Sequence, residues 1–171
     1  MRADIVPGAA FPDYELPDQD GVMRRLSELQ GNDPMILVLS RGRFCPKDYQ
    51  QHLELTELKP KVDVAYTKIV TISTDDQVEA KAMRRETGAD WPFLCDPERV
   101  IQQDLQIKED DPYHDPMVPH TLVLGPGLEV HSIYVGYYFW GRPSRDDLWH
   151  DLREVFKQTK ADFDPATTAA A

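Results

Sequence analysis

Cysteine is scarce in this chain, with two among 171 residues. That excludes a disulfide-stapled scaffold and leaves the pair as buried hydrophobes or as redox-active thiols in a reducing compartment. Long apolar runs are missing too, so no segment reaches the ~18 residues needed to span a bilayer. The opening MRADIVPGAAFPDYEL has an early acid and two prolines where a secretory leader would be apolar, which points to the cytoplasm. Basic charge is in short supply, 19 Lys and Arg against 30 Asp and Glu, a net charge of −11. Such a surface repels phosphate backbones and anionic lipid, so nucleic-acid and membrane partners are not expected, and its plainest consequence is solubility. No Gly-rich phosphate loop, Ser-His-Asp order or paired-carboxylate motif stands out. The five histidines (His52, His114, His120, His131 and His150) show no ligand spacing, so no metal or other cofactor is expected.

What is there alternates between strand and helix. Residues Phe11 to Leu16 and Val22 to Leu26 flank an Asp-Gln-Asp-Gly turn and predict an N-terminal hairpin. Met35 to Ser40 (MILVLS) is a continuous apolar run of the kind buried on both faces of a sheet. A helix is predicted over Pro46 to Leu58, with Tyr49, Leu53 and Thr56 at helical spacing and Leu55 and Leu58 widening the face. Lys68 to Thr74 (KIVTIST) reads as a second strand. The next helix covers about Gln77 to Thr87, capped by Asp76 with Glu79 three residues on, and stopped by Gly88. Trp91 to Leu94 is a short extended piece. Asp96 and Pro97 predict another helix, the acid as N-cap and the proline at the first helical position.

Lys108 to Pro116 (KEDDPYHDP) reads as a polar loop. His120 to Leu124 and Val130 to Tyr138 are two more strands, and Ser144 caps a last helix carrying Leu148, Leu152, Val155 and Phe156. The order is β-α-β-α, an extra helix, then β-β-α. This predicts one α/β domain over residues 1–163, a three-layer thioredoxin-like fold with a central mixed sheet, an N-terminal hairpin and a helical insertion. Residues 164–171 read as a disordered tail.

The stretch Ser40-Arg41-Gly42-Arg43-Phe44-Cys45-Pro46-Lys47 joins the buried strand to its helix. Ligands meet chemistry at the carboxyl ends of strands in such sheets. Pro46 suits the first helical position, which makes Cys45 the N-cap and places its sulfur near the unpaired amides of the helix. The helix dipole and the cations Arg41, Arg43 and Lys47 favour thiolate, the nucleophilic form. Asp48, in the first turn, opposes them by its sign. The plain alternative is a small buried hydrophobe at Cys45.

RGRFCPKDYQQHLELTEL resembles the active-site segment of peroxiredoxin-like redoxins of the alkyl hydroperoxide reductase/thiol-specific antioxidant superfamily, in some of which an Arg-Gly-x-aromatic-Cys-Pro run leads into the helix. FPDYELPDQDGVMRRLSEL resembles the family's N-terminal hairpin, WPFLCDPERVIQQDL its strand-loop-helix, and YVGYYFWGRPSRDDL its last strand and helix. The resemblance implies a thioredoxin fold and a one-cysteine thiol peroxidase: Cys45 attacks the O–O bond of a peroxide, becomes sulfenic acid and is restored by thioredoxin or a low-molecular-weight thiol. It also implies a cis Pro119, and relatives of this kind commonly form homodimers.

Two departures stand out. The family's Pro-x-x-x-Thr/Ser-x-x-Cys falls on Val38 and Gly42, so the hydroxyl that contacts peroxide is absent. The family's arginine on a later strand falls on Pro119 or His120, leaving Arg41 as the candidate cation. His120 is a candidate proton donor, and Cys95 a candidate resolving cysteine or a packed side chain. Tyr137, Tyr138, Phe139 and Trp140 read as packing or as a hydrophobic rim, and Arg142 as a solvated arginine or a contact for an anionic group. Asp48 stands where Cys-x-x-Cys would place its second thiol, which excludes dithiol exchange within the motif. A monothiol disulfide oxidoreductase and a thioredoxin-fold binding module that has lost catalysis complete the readings.

Overall fold

The computed structural model describes residues 1–138 and 140–159. Phe139 and the expected tail, 164–171, lie outside the described residues. Five strands form the central sheet in the order β5-β4-β3-β6-β7: β3 (Met35–Ser40), β4 (Lys68–Ser73), β5 (Phe93–Cys95), β6 (His120–Gly125) and β7 (Glu129–Val135). β3, β4 and β5 run parallel; β6 and β7 run antiparallel to their neighbours. The hairpin forms a separate sheet from β1 (Glu15–Pro17) and β2 (Met23–Arg25).

Every residue of β3 is buried because alternate side chains enter two cores. Met35, Leu37 and Leu39 face a layer containing Ile5, Phe11, α1 (Leu26–Gln30) and α4 (Val100–Asp104). Ile36 and Val38 face α2 (Pro46–Asp63), α3 (Gln77–Thr87) and α5 (Arg145–Thr159). The expected three layers are present. They place the end of β3 and the start of α2 over the sheet, where Cys45 lies.

Local signals set several boundaries. The Asp76 carboxylate accepts from the amides of Val78 and Glu79, and Gly88 ends α3 at φ +70°. Ser144 and Asp147 exchange reciprocal bonds at the start of α5, a capping box. Three expectations need correction. α2 runs through Pro60 to Asp63 rather than stopping at Leu58, because Leu58 and Val62 bury beside Ile69 and that packing offsets the lost donor. α4 begins at Val100, not beside Pro97, although the Asp96 carboxylate still accepts from the amides of Val100, Ile101 and Gln102. Last, every peptide bond among the described residues is trans, Val118–Pro119 included. A trans bond lets the chain run from the Lys108–Met117 bridge, through the Val118 amide bonded to Ile107 at 2.6 Å, directly into β6.

Candidate active site

Cys45 is the N-cap of α2, with Pro46 in the first turn. Its carbonyl accepts the Tyr49 amide at 3.0 Å and its own amide donates to the Gly42 carbonyl at 3.0 Å, fixing a tight turn between β3 and α2. The expected capping by sulfur is absent, since no helix amide donates to Sγ. The sulfur is served instead by two guanidinium groups. Arg41 Nη1 donates to it at 3.5 Å, and Arg142 Nη2 lies 3.9 Å away.

Each arginine is held by carboxylates. Arg41 is buried and bonds Glu109 through Nε at 2.6 Å and Asp111 through Nη2 at 3.3 Å. Its charge is strengthened, burial working against it and the bonds to Cys45 and Glu109 outweighing burial. Arg142 donates to Asp48 Oδ1 through Nε at 2.8 Å and Nη2 at 2.5 Å, and through Nη1 to the carbonyls of Tyr138 and Trp140. The other oxygen of Asp48 accepts the Arg41 amide at 2.6 Å and the Ser40 hydroxyl at 3.2 Å. Because carboxylates balance both cations, the sulfur receives oriented N–H donors more than net positive charge.

The surroundings explain why α2 presents polar side chains to the interior. Asp48, Gln51 and His52 occupy its buried face ahead of Leu55, Leu58 and Val62, so the stripe through Tyr49, Leu53 and Thr56 is not the buried one. His52 donates to the Asp48 carbonyl at 2.7 Å and lies 2.9 Å from Thr71 Oγ1; burial lowers its pKa and keeps it neutral. Cys45 itself is fully buried, yet it belongs to neither apolar core. It is enclosed by charged groups and by the 108–116 loop, whose His114 stacks on Phe44 at 3.7 Å.

The remaining candidates divide. Gly42 has φ +113°, and a Cβ there would fall 2.4 Å from Asp75 Oδ1. That space holds a carboxylate in place of the family's hydroxyl. Arg43 points away from the sulfur, paired with Glu79 and Glu86 of α3. Pro119 and His120 do not supply the arginine. His120 Nδ1 donates to the Val118 carbonyl at 2.7 Å, and burial lowers its pKa so that it is neutral. The arginine that reaches the sulfur from late in the chain is Arg142, in the loop before α5, almost wholly buried at 4% side-chain exposure rather than solvated. The signal for it in the sequence is the Gly136–Gly141 bracket. A Cβ on Gly136 would strike Arg142 Nη1 at 2.8 Å, and one on Gly141 would strike the Val135 carbonyl at 2.3 Å, so the chain can double back only with glycine at both positions.

Cys95 packs in the apolar core on the α2 side of the sheet, and burial, helped by the charge of Asp75, pushes its thiol up to about 12. In the folded protein Cys95 is therefore expected to resist iodoacetamide at pH 8 and to react only in denaturant, as read by peptide mass mapping. Modification under native conditions at the rate of a free thiol would contradict that burial.

The fold and site define a thioredoxin-fold protein built around one thiol held by two arginines at the start of a helix. The chain belongs to the AhpC/TSA family, whose model matches residues 7–133. It is 27% identical over 101 residues to a Mycobacterium tuberculosis protein assigned to the peroxiredoxins, covering 59% of this chain and 66% of that one. It is 23% identical over 105 residues to peroxiredoxin bcp1 of Schizosaccharomyces pombe, covering 61% and 54%. The matched stretches thus span just under two thirds of the mycobacterial relative and about half of the yeast one. Among solved structures it is similar to peroxidoxin BcpB of M. tuberculosis (TM-score 0.71, 22% identity, 91% of this chain and 97% of that one). It is likewise similar to peroxiredoxin 6 of Arenicola marina (TM-score 0.75, 18% identity, 92% and 76%).

Proposed function

We propose that the protein is a thiol-dependent peroxidase of the one-cysteine type, with Cys45 as the attacking thiolate. The observation that carries this reading is the sulfur's placement, buried at a helix start, against the guanidinium groups of Arg41 and Arg142. The thiolate attacks the terminal oxygen of a hydroperoxide. An S–O bond forms as the O–O bond breaks, and the leaving alkoxide takes a proton from water. Sulfur ends as sulfenic acid and the peroxide as alcohol. The guanidinium N–H groups stabilise the charge moving from sulfur to the leaving oxygen.

An external thiol then condenses with the sulfenic acid, releasing water, and a second thiol reduces the mixed disulfide. Cys95 is poorly suited to that second step, since it packs among apolar side chains and its thiol stays protonated. A solved relative, the yeast mitochondrial 1-Cys peroxiredoxin, is described as resolved through glutathione and thioredoxin systems, and a reductant of that class suits this chain. Two free thiols suit a reducing compartment, so the reading places the protein in the cytoplasm. No helix among the described residues is long and apolar enough to cross a membrane. The reading also takes in a homodimer, since β7 is an edge strand and Val135, Tyr137 and Trp140 are exposed beside Arg142.

The test is one equivalent of hydrogen peroxide in the presence of a sulfenic-acid trap, followed by mass mapping of the Cys45 peptide. Trapping faster than for free cysteine is expected. A rate no better than free cysteine rejects the peroxidase. Reaction with a mixed disulfide but not with peroxide selects a monothiol oxidoreductase, and indifference to both leaves a binding module.

A further inference from the structure

The 108–116 insertion puts a carboxylate against the site. Glu109 is 7% exposed; its Oε2 takes the Arg41 Nε donor at 2.6 Å, while Oε1 is buried with no partner. A buried acceptor without a donor costs about 1–3 kcal/mol, more when charged, so its retention calls for an explanation. The backbone aims it deliberately: the Glu109 amide donates to the Pro116 carbonyl at 3.0 Å, and the neighbouring Lys108–Met117 bridge ties the insertion to the lead-in of β6. Arg41 bonds the Cys45 sulfur through Nη1 and Glu109 through Nε, so a single guanidinium holds both the sulfur and the carboxylate. The rings of Phe44 and Tyr138 flank that guanidinium and shield it from water.

The hydroxyl that the family places at Gly42 is missing, and a hydroperoxide brings an O–H that needs an acceptor once water is excluded. We infer that Glu109 Oε1 is that acceptor: it takes the hydrogen bond of the peroxide O–H and turns the terminal oxygen towards the Cys45 thiolate, while Arg41 and Arg142 donate to the peroxide oxygens. The ligand class is a hydroperoxide, an oxygen electrophile carrying its own proton. This rests on the peroxidase reading of Cys45. The same bond persists to the sulfenic acid, because the attacked oxygen keeps its hydrogen as the O–O bond breaks and the alkoxide is protonated by water. Glu109 thereby becomes a catalytic residue, distinct from Asp111, which only holds Arg41.

The experiment compares two reactions of Cys45 in the full chain. Hydrogen peroxide needs an acceptor for its O–H, whereas iodoacetamide is attacked at carbon and needs none. In E109Q the amide oxygen faces Arg41 Nε, and an NH₂ donor replaces the free acceptor. The expected result is a loss of about tenfold or more in the peroxide rate, with the iodoacetamide rate changed less than threefold. D111N, which also removes a negative charge from Arg41, should leave the ratio of the two rates as in the wild type. Parallel loss of both rates in E109Q would make Glu109 a mere support for Arg41 and overturn the inference, as would no loss of either. A ratio in D111N lowered as far as in E109Q would do the same. If E109Q loses its near-ultraviolet circular dichroism, E109D, which withdraws the oxygen by one methylene, reads the same contrast. A wild type no faster with peroxide than free cysteine rejects the peroxidase itself, separately from this role.

Discussion

Asp48→Ala is expected to destabilise the protein by about 3–5 kcal/mol and to slow the reaction of Cys45 with peroxide by about 10- to 100-fold. Asp48 and Arg142 are both buried, with side-chain exposures of 0% and 4%, and removing the carboxylate strands a guanidinium in the interior. The same loss frees the Arg41 amide and the Ser40 hydroxyl, which share the second Asp48 oxygen. Arg142 would then drift from its place 3.9 Å from the sulfur, and one of the two donors to the sulfur would go with it. Arg142→Met should cost about as much, since it leaves the carboxylate unpaired instead.

The double variant, Asp48→Ala with Arg142→Met, separates structure from chemistry. A buried ion pair replaced whole is often near neutral, so urea denaturation should show the double variant more stable than either single one. Its peroxide rate should stay low because the donor is still missing. Recovery of the rate along with stability would show that Arg142 serves only to hold the fold.

This pair also marks where sequence reading stops. The turn Arg41 to Lys47, the helix starting at Pro46 and the buried strand before it follow from local rules: a proline at the first helical position, a continuous apolar run, a change of period. Asp76, Gly88 and Ser144 were legible for the same reason, because a cap and the amide it serves lie within a few residues. Asp48 looked like a charge working against the sulfur, since its partner lies 94 residues away and nothing in local spacing joins them. Glu109 reaches Arg41 across 68 residues, from a segment legible only as a polar loop. The buried face of α2 escaped a hydrophobic count because Asp48, Gln51 and His52 fill it, and polar residues are buried only where partners from other elements meet them. The end set at Leu58 and the start set at Pro97 missed in opposite directions. Packing of Val62 carried one helix past a proline, and Arg99 at φ +60° delayed the other beyond one.

Gly42→Thr, the change that restores the family's hydroxyl, is expected to fail as a gain of function and to destabilise the protein by about 2–4 kcal/mol. The backbone at φ +113° suits glycine, and the new Cβ would fall 2.4 Å from Asp75 Oδ1. Asp75 cannot simply swing aside, because its other oxygen accepts the Arg43 amide at 2.9 Å. Burial pushes the Asp75 carboxyl up to about 6, against the bond from the Arg43 amide. A carboxyl whose pKa rises on folding contributes fully when protonated in both states. Wild-type stability should thus fall, by on the order of 3 kcal/mol, as pH rises from about 4 through 6, and level off above that. Asp75→Asn should flatten this part of the profile, gaining on the wild type at pH 7.5 and matching it near pH 4, in urea titrations at the two pH values. If Asp75 is what fixes Gly42, shortening it matters more to threonine than removing its charge does. Asp75→Ala should recover part of the Gly42→Thr loss by removing the clash, and the backbone strain at φ +113° should remain. A Gly42→Thr variant as stable as the wild type, with Asp75 intact, would show that the carboxylate does not dictate the glycine.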